Sequence, residues 1–140
     1  MNDIVINKIQ SIQRCIERAR QEYDKNPDNF ENDYSVQDAS ILNIVRACEL
    51  AIDLANQIIK TYKMGIPTSS KESFSLLNKK QVIDRILSEQ LQNMVGFRNV
   101  VIHDYQRVNI DIVKAVIKSG LDDLLLFTDR IMEFVESRSD

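Results

Sequence analysis

Apolar side chains recur every three or four residues along nearly the whole chain, and this spacing constrains the fold more than any other feature of the sequence. No segment alternates for long between apolar and polar residues, so β-strands are not indicated. No internal repeat is visible. The pattern therefore predicts an all-α protein: an up-and-down helical bundle of about four long helices plus a short one, forming a single domain over residues 1–140.

Two long helices are expected in the first half of the chain. The first covers about residues 3–25, and the polar segment that follows it, through Asn32, is expected to be a loop. Ser35, with Asp38 three residues later, resembles a capping box and indicates the start of the second helix. That helix keeps its apolar spacing until Gly65.

Three further helices complete the prediction. The hydroxyl-rich residues 68–70 are suited to cap a short helix. A longer apolar pattern starts near Ile83 and extends as far as His103. Asn109 is expected to cap the last helix, which continues without interruption to Val135.

Composition excludes several classes of protein. Cys15 and Cys48 both lie in helical apolar patterns, which is typical of buried reduced thiols rather than of a disulfide framework. One histidine and two distant cysteines cannot form a zinc cluster, and there is no P-loop, EF-hand or GxGxxG motif, so neither a metal nor a cofactor is expected. No stretch approaches the roughly 18 apolar residues of a membrane span, and the chain does not begin like a signal peptide, so we expect a cytoplasmic protein that contacts no membrane.

Charge is segregated along the chain, although the formal net charge is only −3. Residues 60–80 contain five lysines and one acidic residue, Glu72, and they form the only net-positive stretch. Such a stretch is either a patch that faces phosphate groups or a solvated loop. The stretch contains few aromatic residues, which favours the loop. The five lysines of this stretch are Lys60, Lys63, Lys71, Lys79 and Lys80.

Residues 98–105 concentrate the polar groups that could carry chemistry, including the only histidine. On a helix, Arg98 would share a face with Leu91, Met94, Ile102 and Tyr105, so a guanidinium would lie on an apolar stripe. A buried guanidinium needs an anion, which is either a carboxylate of the fold or a phosphate of a substrate.

Gly96, Asn99 and His103 fall on a second face of the same helix, where the missing side chain of the glycine would let another backbone approach. Each residue of the segment also has a simpler structural interpretation. The histidine could be hydrogen-bonded near a helix end, the glycine could be tolerated within a helix, and Tyr105 could be a core residue with a bonded hydroxyl group.

Arg98, four intervening residues, His103, one further residue and Tyr105 match the RxxxxHxY pattern of the HepT toxins, a branch of the HEPN superfamily of small α-helical ribonucleases. Residues 73–77 and the segment 94–99 before the histidine also resemble the HepT consensus. The resemblance spans nearly the whole chain and is strongest in residues 73–105.

This resemblance implies a toxin that is a metal-independent endoribonuclease and cleaves cellular RNA, either mRNA or tRNA. It implies Arg98 and His103 as catalytic residues, Asn99 as a substrate-binding residue, and Tyr105 as the site to which an MntA-type nucleotidyltransferase antitoxin transfers AMP. Asp104 inherits no role, because the position between the histidine and the tyrosine is variable in the pattern.

Metal-free cleavage of RNA requires a base, an acid and positive charge at the phosphate. Since each chain has a single histidine, we expect a homodimer that brings both His103 and both Arg98 side chains into one cleft, as the resemblance also implies. The alternative is a non-catalytic helical binding partner of a nucleotidyltransferase. That role would not require Arg98, Asn99 and His103 together, so their presence favours the enzyme.

Overall fold

The structure is a computed structural model and describes residues 2–138. Over this range the chain forms helices joined by short turns, without a β-strand, which confirms the predicted all-α bundle. The single domain over residues 1–140 stays a prediction, since its ends lie outside the described residues. The helices are α1 (Asn2–Asp24), α2 (Tyr34–Thr61), α3 (Ser70–Lys79), α4 (Arg85–His103), α5 (Ile110–Ala115) and α6 (Leu121–Ser137).

One apolar core holds these helices together. α1 and α2 pack as an antiparallel pair, and the Ser40 hydroxyl near the start of α2 donates to the Ala19 carbonyl near the end of α1. Phe74 of α3 and Phe127 of α6 meet edge to face with ring centres 5.4 Å apart. The core therefore joins helices that are distant in sequence and fixes where α3 and α4 lie on α2.

The connection between α1 and α2 differs from the predicted loop. It contains a 3-10 turn, Pro27–Asn32, whose Phe30 is fully buried against the edge of Tyr23. A lone apolar residue in a polar segment has no periodicity, so apolar spacing could not predict that Phe30 is buried.

The predicted capping box at the start of α2 is wrong. The N-cap is Asp33, whose carboxylate accepts from the Val36 amide at 3.2 Å, so the helix begins before Ser35. Asp38 is not used as a cap. Its carboxylate instead accepts a hydrogen bond from Tyr105.

The predicted cap of α3 is correct and is a reciprocal one. The Ser69 hydroxyl accepts from the Glu72 amide at 3.1 Å. The Glu72 carboxylate reaches back and accepts from the amide and the hydroxyl of Thr68. This arrangement fixes the first turn of α3, which carries Ser70.

The last helix is capped by Asn109 as predicted, but it is not continuous. A π-helical segment, Val116–Gly120, separates α5 from α6. Arg20 of α1 donates to the Ile117 carbonyl of this segment and pairs with Asp122. A Cβ at Gly120 would lie 3.0 Å from Met94 Sδ, so the glycine allows α4 to approach closely. The π-helical segment therefore lies where both α1 and α4 contact the last helix.

Both cysteines are buried free thiols, as their apolar settings predicted. Burial raises the pKa of the Cys48 thiol to about 12, so this thiol is protonated and unreactive at neutral pH. Within residues 2–138, no helix is both long enough and apolar enough to cross a membrane.

Candidate functional site

The second half of α4 carries the residues that the sequence singled out. One face of its first half packs in the core through Leu87, Leu91 and Met94, whereas Ile102 near its end is 52% exposed. Asp104 ends the helix, and Tyr105 lies beyond it in a 3-10 turn, Tyr105–Arg107. The apolar stripe expected to continue to Ile102 and Tyr105 is therefore wrong, because the helix leaves the core and stops before the tyrosine.

Arg98 lies at the edge of the core with a side chain that is only 16% exposed. Its Nη1 donates to Asn99 Oδ1 at 2.8 Å and its Nη2 donates to Ser70 Oγ at 3.1 Å. Its Nε lies 2.6 Å from a carboxylate oxygen of Glu49 on α2. This ion pair lacks hydrogen-bond alignment, since the Nε–H does not point at the oxygen. Of the two anions that the sequence left open, the single chain supplies the carboxylate of the fold.

Asn99 follows directly and is half-buried. Its side-chain oxygen is occupied by Arg98, while its NH₂ group has no partner within the described chain. The arginine thus sets the amide orientation and leaves two N–H donors free. A phosphate or sugar oxygen could accept from them.

His103 is the last residue of α4 and is exposed. It lies five positions after Arg98, which corresponds to about 140° around the helix and about 7.5 Å along it. The two side chains therefore leave α4 in different directions. By helix geometry they do not share one face of a single chain.

Tyr105 is 45% exposed, and its hydroxyl donates to the Asp38 carboxylate of α2. Burial, the hydrogen bond and the negative charge of Asp38 together raise the pKa of Tyr105 to about 12. The tyrosine lies at the mouth of a cleft of about 360 Å³ that also includes Tyr34 and Ile41. The site therefore presents a protonated phenol at the rim of a partly apolar cleft.

The face that includes Gly96 has no second backbone against it in the described chain. The nearest atom to a Cβ at Gly96 would be Nζ of Lys71 at 3.7 Å, which is the end of a flexible side chain. The glycine also lines a shallow, largely apolar cleft of about 280 Å³ with Phe97, Val100 and Ile112. The backbone approach expected there stays a prediction.

Sequence reasoning missed Glu49 and gave no functional role to Ser70 or Asp38, the side chains that hold Arg98 and Tyr105. They belong to α2 and α3, far from the motif in sequence, and no local spacing marks them. Nowhere in residues 2–138 do three or more His, Cys, Asp or Glu side chains form a group that could hold a metal ion.

Comparison with known proteins places this geometry in a family. The family model described as "Ribonuclease HepT-like" matches residues 12–131. The protein named mRNA nuclease HepT from Shewanella oneidensis is 47% identical over 131 residues, which cover 94% of this chain and 98% of that protein.

Two solved structures resemble the whole chain. One is the tri-AMPylated Shewanella oneidensis HEPN toxin in complex with MNT antitoxin, with a TM-score of 0.89 and 47% identity over 95% of this chain and 99% of that one. The other is a toxin–antitoxin complex with AMP-PNP, with a TM-score of 0.89 and 45% identity over 94% of this chain and 98% of that one. The matches confirm the resemblance that the motif indicated, and the chain belongs to the HepT-like ribonuclease family of HEPN toxins.

Proposed function

We propose that this chain is the toxin of a toxin–antitoxin pair and cleaves mRNA by metal-independent chemistry, with Arg98 and His103 as catalytic residues and Asn99 as a substrate-binding residue. The observation that carries the proposal is the end of α4. It holds an oriented guanidinium, a side-chain amide with free donors and an exposed imidazole within six residues. The choice of mRNA is supported by the name of the Shewanella relative.

In the proposed reaction the imidazole of His103 removes the proton of the ribose 2′-hydroxyl group, which then attacks the adjacent phosphorus. Arg98 and Asn99 donate to the phosphate oxygens on which negative charge develops. The P–O bond to the 5′-oxygen breaks, and this oxygen takes a proton from a protonated imidazole. Ser70 holds Arg98 in place for this step, and the substrate phosphate replaces Glu49 as the anion beside the guanidinium.

The active unit is a homodimer in this proposal. One histidine per chain cannot serve as base and acid on opposite sides of the same phosphorus, and Arg98 and His103 leave α4 in different directions. A second copy would supply the second imidazole. The open Gly96 face, with the apolar cleft beside it, supports close contact between the two α4 helices.

The proposed partner is an MntA-type nucleotidyltransferase antitoxin, which transfers AMP to Tyr105. Support comes from the solved relatives, described as AMPylated toxin and as toxin–antitoxin complexes. The 45% exposure of Tyr105 supports such a transfer. The attached phosphate and nucleotide would lie two residues from His103 and block the approach of RNA.

Expression of wild type beside His103→Ala tests the enzymatic proposal. We expect wild type to arrest growth and cleave RNA, and the variant to lose at least about 100-fold in cleavage rate because the general base and acid are removed. Gln106→Ala, an exposed change three residues away, is the matched control and should keep both activities. Cleavage by purified His103→Ala at the wild-type rate would refute the proposal. A wild type that binds the antitoxin without cleaving RNA would establish the non-catalytic alternative.

A further inference from the structure

The helices α2, α3 and α6 end close together at the opposite end of the bundle from His103. Tyr62, which follows α2, meets Phe134 of α6 edge to face with ring centres 4.9 Å apart. Two adjoining clefts of about 390 and 240 Å³ open there, and both include Lys80, Phe134 and Arg138. We call this surface the basic end and define it by Tyr62, Lys63, Lys80, Arg130, Phe134 and Arg138.

The basic end has an excess of positive charge that the described chain does not neutralise. Its four cationic side chains are accompanied in the clefts by one carboxylate, that of Glu133, which pairs with Arg130 at 3.0 Å. Within residues 2–138, no carboxylate lies within 4 Å of Lys63, Lys80 or Arg138. Three cations without a carboxylate partner among the described residues thus line joined clefts in a chain with a net charge of −3, and their mutual repulsion favours a bound polyanion.

The helix dipole alone does not account for this arrangement. A cation near a helix C-terminus is stabilised by the dipole wherever it lies around the terminal turn. This stabilisation does not require the cation to lie close to the cations of two other helices, as it does here. The turns after α2 and α3 also place Lys63 and Gln81 in the left-handed backbone region, at φ +54° and +63°. Both residues line the clefts.

Aromatic rings accompany the cations. Tyr62 and Phe134 are half-buried, and the Arg138 guanidinium lies over the Phe134 ring, 4.4 Å from its centre. A basic groove bordered by aromatic rings is typical of surfaces that bind single-stranded nucleic acid, since phosphates pair with the cations and the rings add apolar contacts to the bases.

The position of the basic end determines how it would act. Val82, which lines one cleft, precedes the start of α4 by three residues. His103 lies 18 residues after Arg85, which is about 27 Å along the helix. A dinucleotide bound at His103 could not reach the basic end, whereas an extended RNA strand could.

We propose that the basic end is a second binding surface for the RNA strand, which it contacts several nucleotides away from the phosphodiester that is cleaved. The proposal rests on the proposed function only in taking RNA as the ligand. It identifies the Lys80 and Arg138 side chains as phosphate-binding groups.

Binding of a fluorescently labelled single-stranded RNA oligonucleotide tests this surface in the full-length His103→Ala protein, where cleavage cannot interfere. We expect Lys80→Ala combined with Arg138→Ala to weaken binding at least about tenfold at low salt. The slope of log K against log salt should shrink by about 1.4, since each lost phosphate contact on a single strand removes about 0.7. Arg14→Ala combined with Arg18→Ala, an equal change of charge on the exposed face of α1, is the control and should cause a smaller loss.

Steady-state cleavage gives a second measurement. In the His103-containing protein, the ratio of kcat/KM for a long RNA to that for a dinucleotide should fall at least about tenfold in the Lys80/Arg138 variant. Equal losses of binding in the variant and the control would overturn the proposal, as would unchanged RNA binding together with weakened binding of the antitoxin. If the double variant does not fold, Lys80→Gln is compared with Arg14→Gln, and the expected decrease in slope is about 0.7. Because binding is measured without cleavage, an inactive wild type would refute the nuclease and leave this test intact.

Discussion

Two exposed tyrosines line the same cleft, but only one of them is held by a carboxylate. Tyr34 is 73% exposed, and its hydroxyl has no partner in the described chain. Tyr105, which lies two residues after His103, is held by a hydrogen bond to Asp38. This difference lets the modification site be tested against a neighbour of the same chemistry.

Tyr105→Phe removes the hydroxyl group proposed to accept AMP. We expect the variant to stay toxic when it is co-expressed with the nucleotidyltransferase, and to gain no AMP mass in intact-protein mass spectrometry. Tyr34→Phe should still be modified and neutralised. AMP found on the Tyr105→Phe protein, with growth restored, would remove Tyr105 from the proposal.

Asp38→Asn should lower the pKa of Tyr105 below about 12, because the charge of the carboxylate is lost. The pKa should stay above its ordinary value of 10, since burial is the larger cause of the shift. The folded-state pKa lies above the unfolded one, so the phenol contributes stability below about pH 10, and this contribution is lost as the pH rises to about 12. NMR titration of ¹³C-labelled tyrosine, with Tyr105→Phe for assignment, measures the shift. An identical pKa in the variant would contradict the role of Asp38.

For single residues, the sequence predicted the members of the motif but not the side chains that contact them. The helical spacing showed that Arg98 would need an anion, and the structure supplies Glu49. Nothing local could identify that partner, because Glu49 and Ser70 are brought to Arg98 by the packing of α2 and α3 on α4. The catalytic and modification roles themselves came from the family resemblance and stay proposals.

Among the elements, α3 has the clearest local determinant. Its reciprocal cap joins Thr68 and Ser69 to Glu72, and its first residue, Ser70, holds Arg98. The cap therefore stabilises a helix end that also positions the guanidinium.

Ser69→Ala should lower the free energy of unfolding by about 1 kcal/mol, because the Glu72 amide loses its acceptor. Urea denaturation measures the change. Ser75→Ala, the same substitution in the interior of α3, is the control and should have little effect or stabilise slightly. Equal losses in the two variants would mean that the cap contributes nothing specific.

Most helix bounds followed from apolar spacing and capping residues, and the exceptions have different causes. The π segment at Val116–Gly120 was missed because it depends on Arg20 from α1 and on the approach of Met94. The start of α2 was misplaced because Asp33 and Ser35 are both good caps, and spacing alone does not rank them.

For the whole molecule, the proposed homodimer predicts how activity depends on subunit mixing. If both His103 side chains are required, a mixed dimer of wild type and His103→Ala is inactive. When equal amounts of the two are refolded together, about one quarter of the dimers should be pure wild type. The activity per total protein should therefore fall to about one quarter.

RNA cleavage per total protein measures this dependence, and Gln106→Ala is the control partner that should preserve full activity. A fall to one half instead of one quarter would mean that each subunit acts independently. The fold alone predicts neither outcome, because surface features such as the Gly96 face do not specify which partner covers them.

The side-chain carboxylate of Glu49 acts as an intramolecular anion for Arg98. A tethered carboxylate 2.6 Å from Arg98 has an effective concentration on the order of millimolar or higher. Isolated phosphate or sulfate at lower concentrations therefore competes poorly for the guanidinium. An RNA strand that is bound elsewhere on the surface brings its phosphates to comparable local concentrations. The Glu49–Arg98 ion pair therefore favours binding of long RNA over binding of small anions.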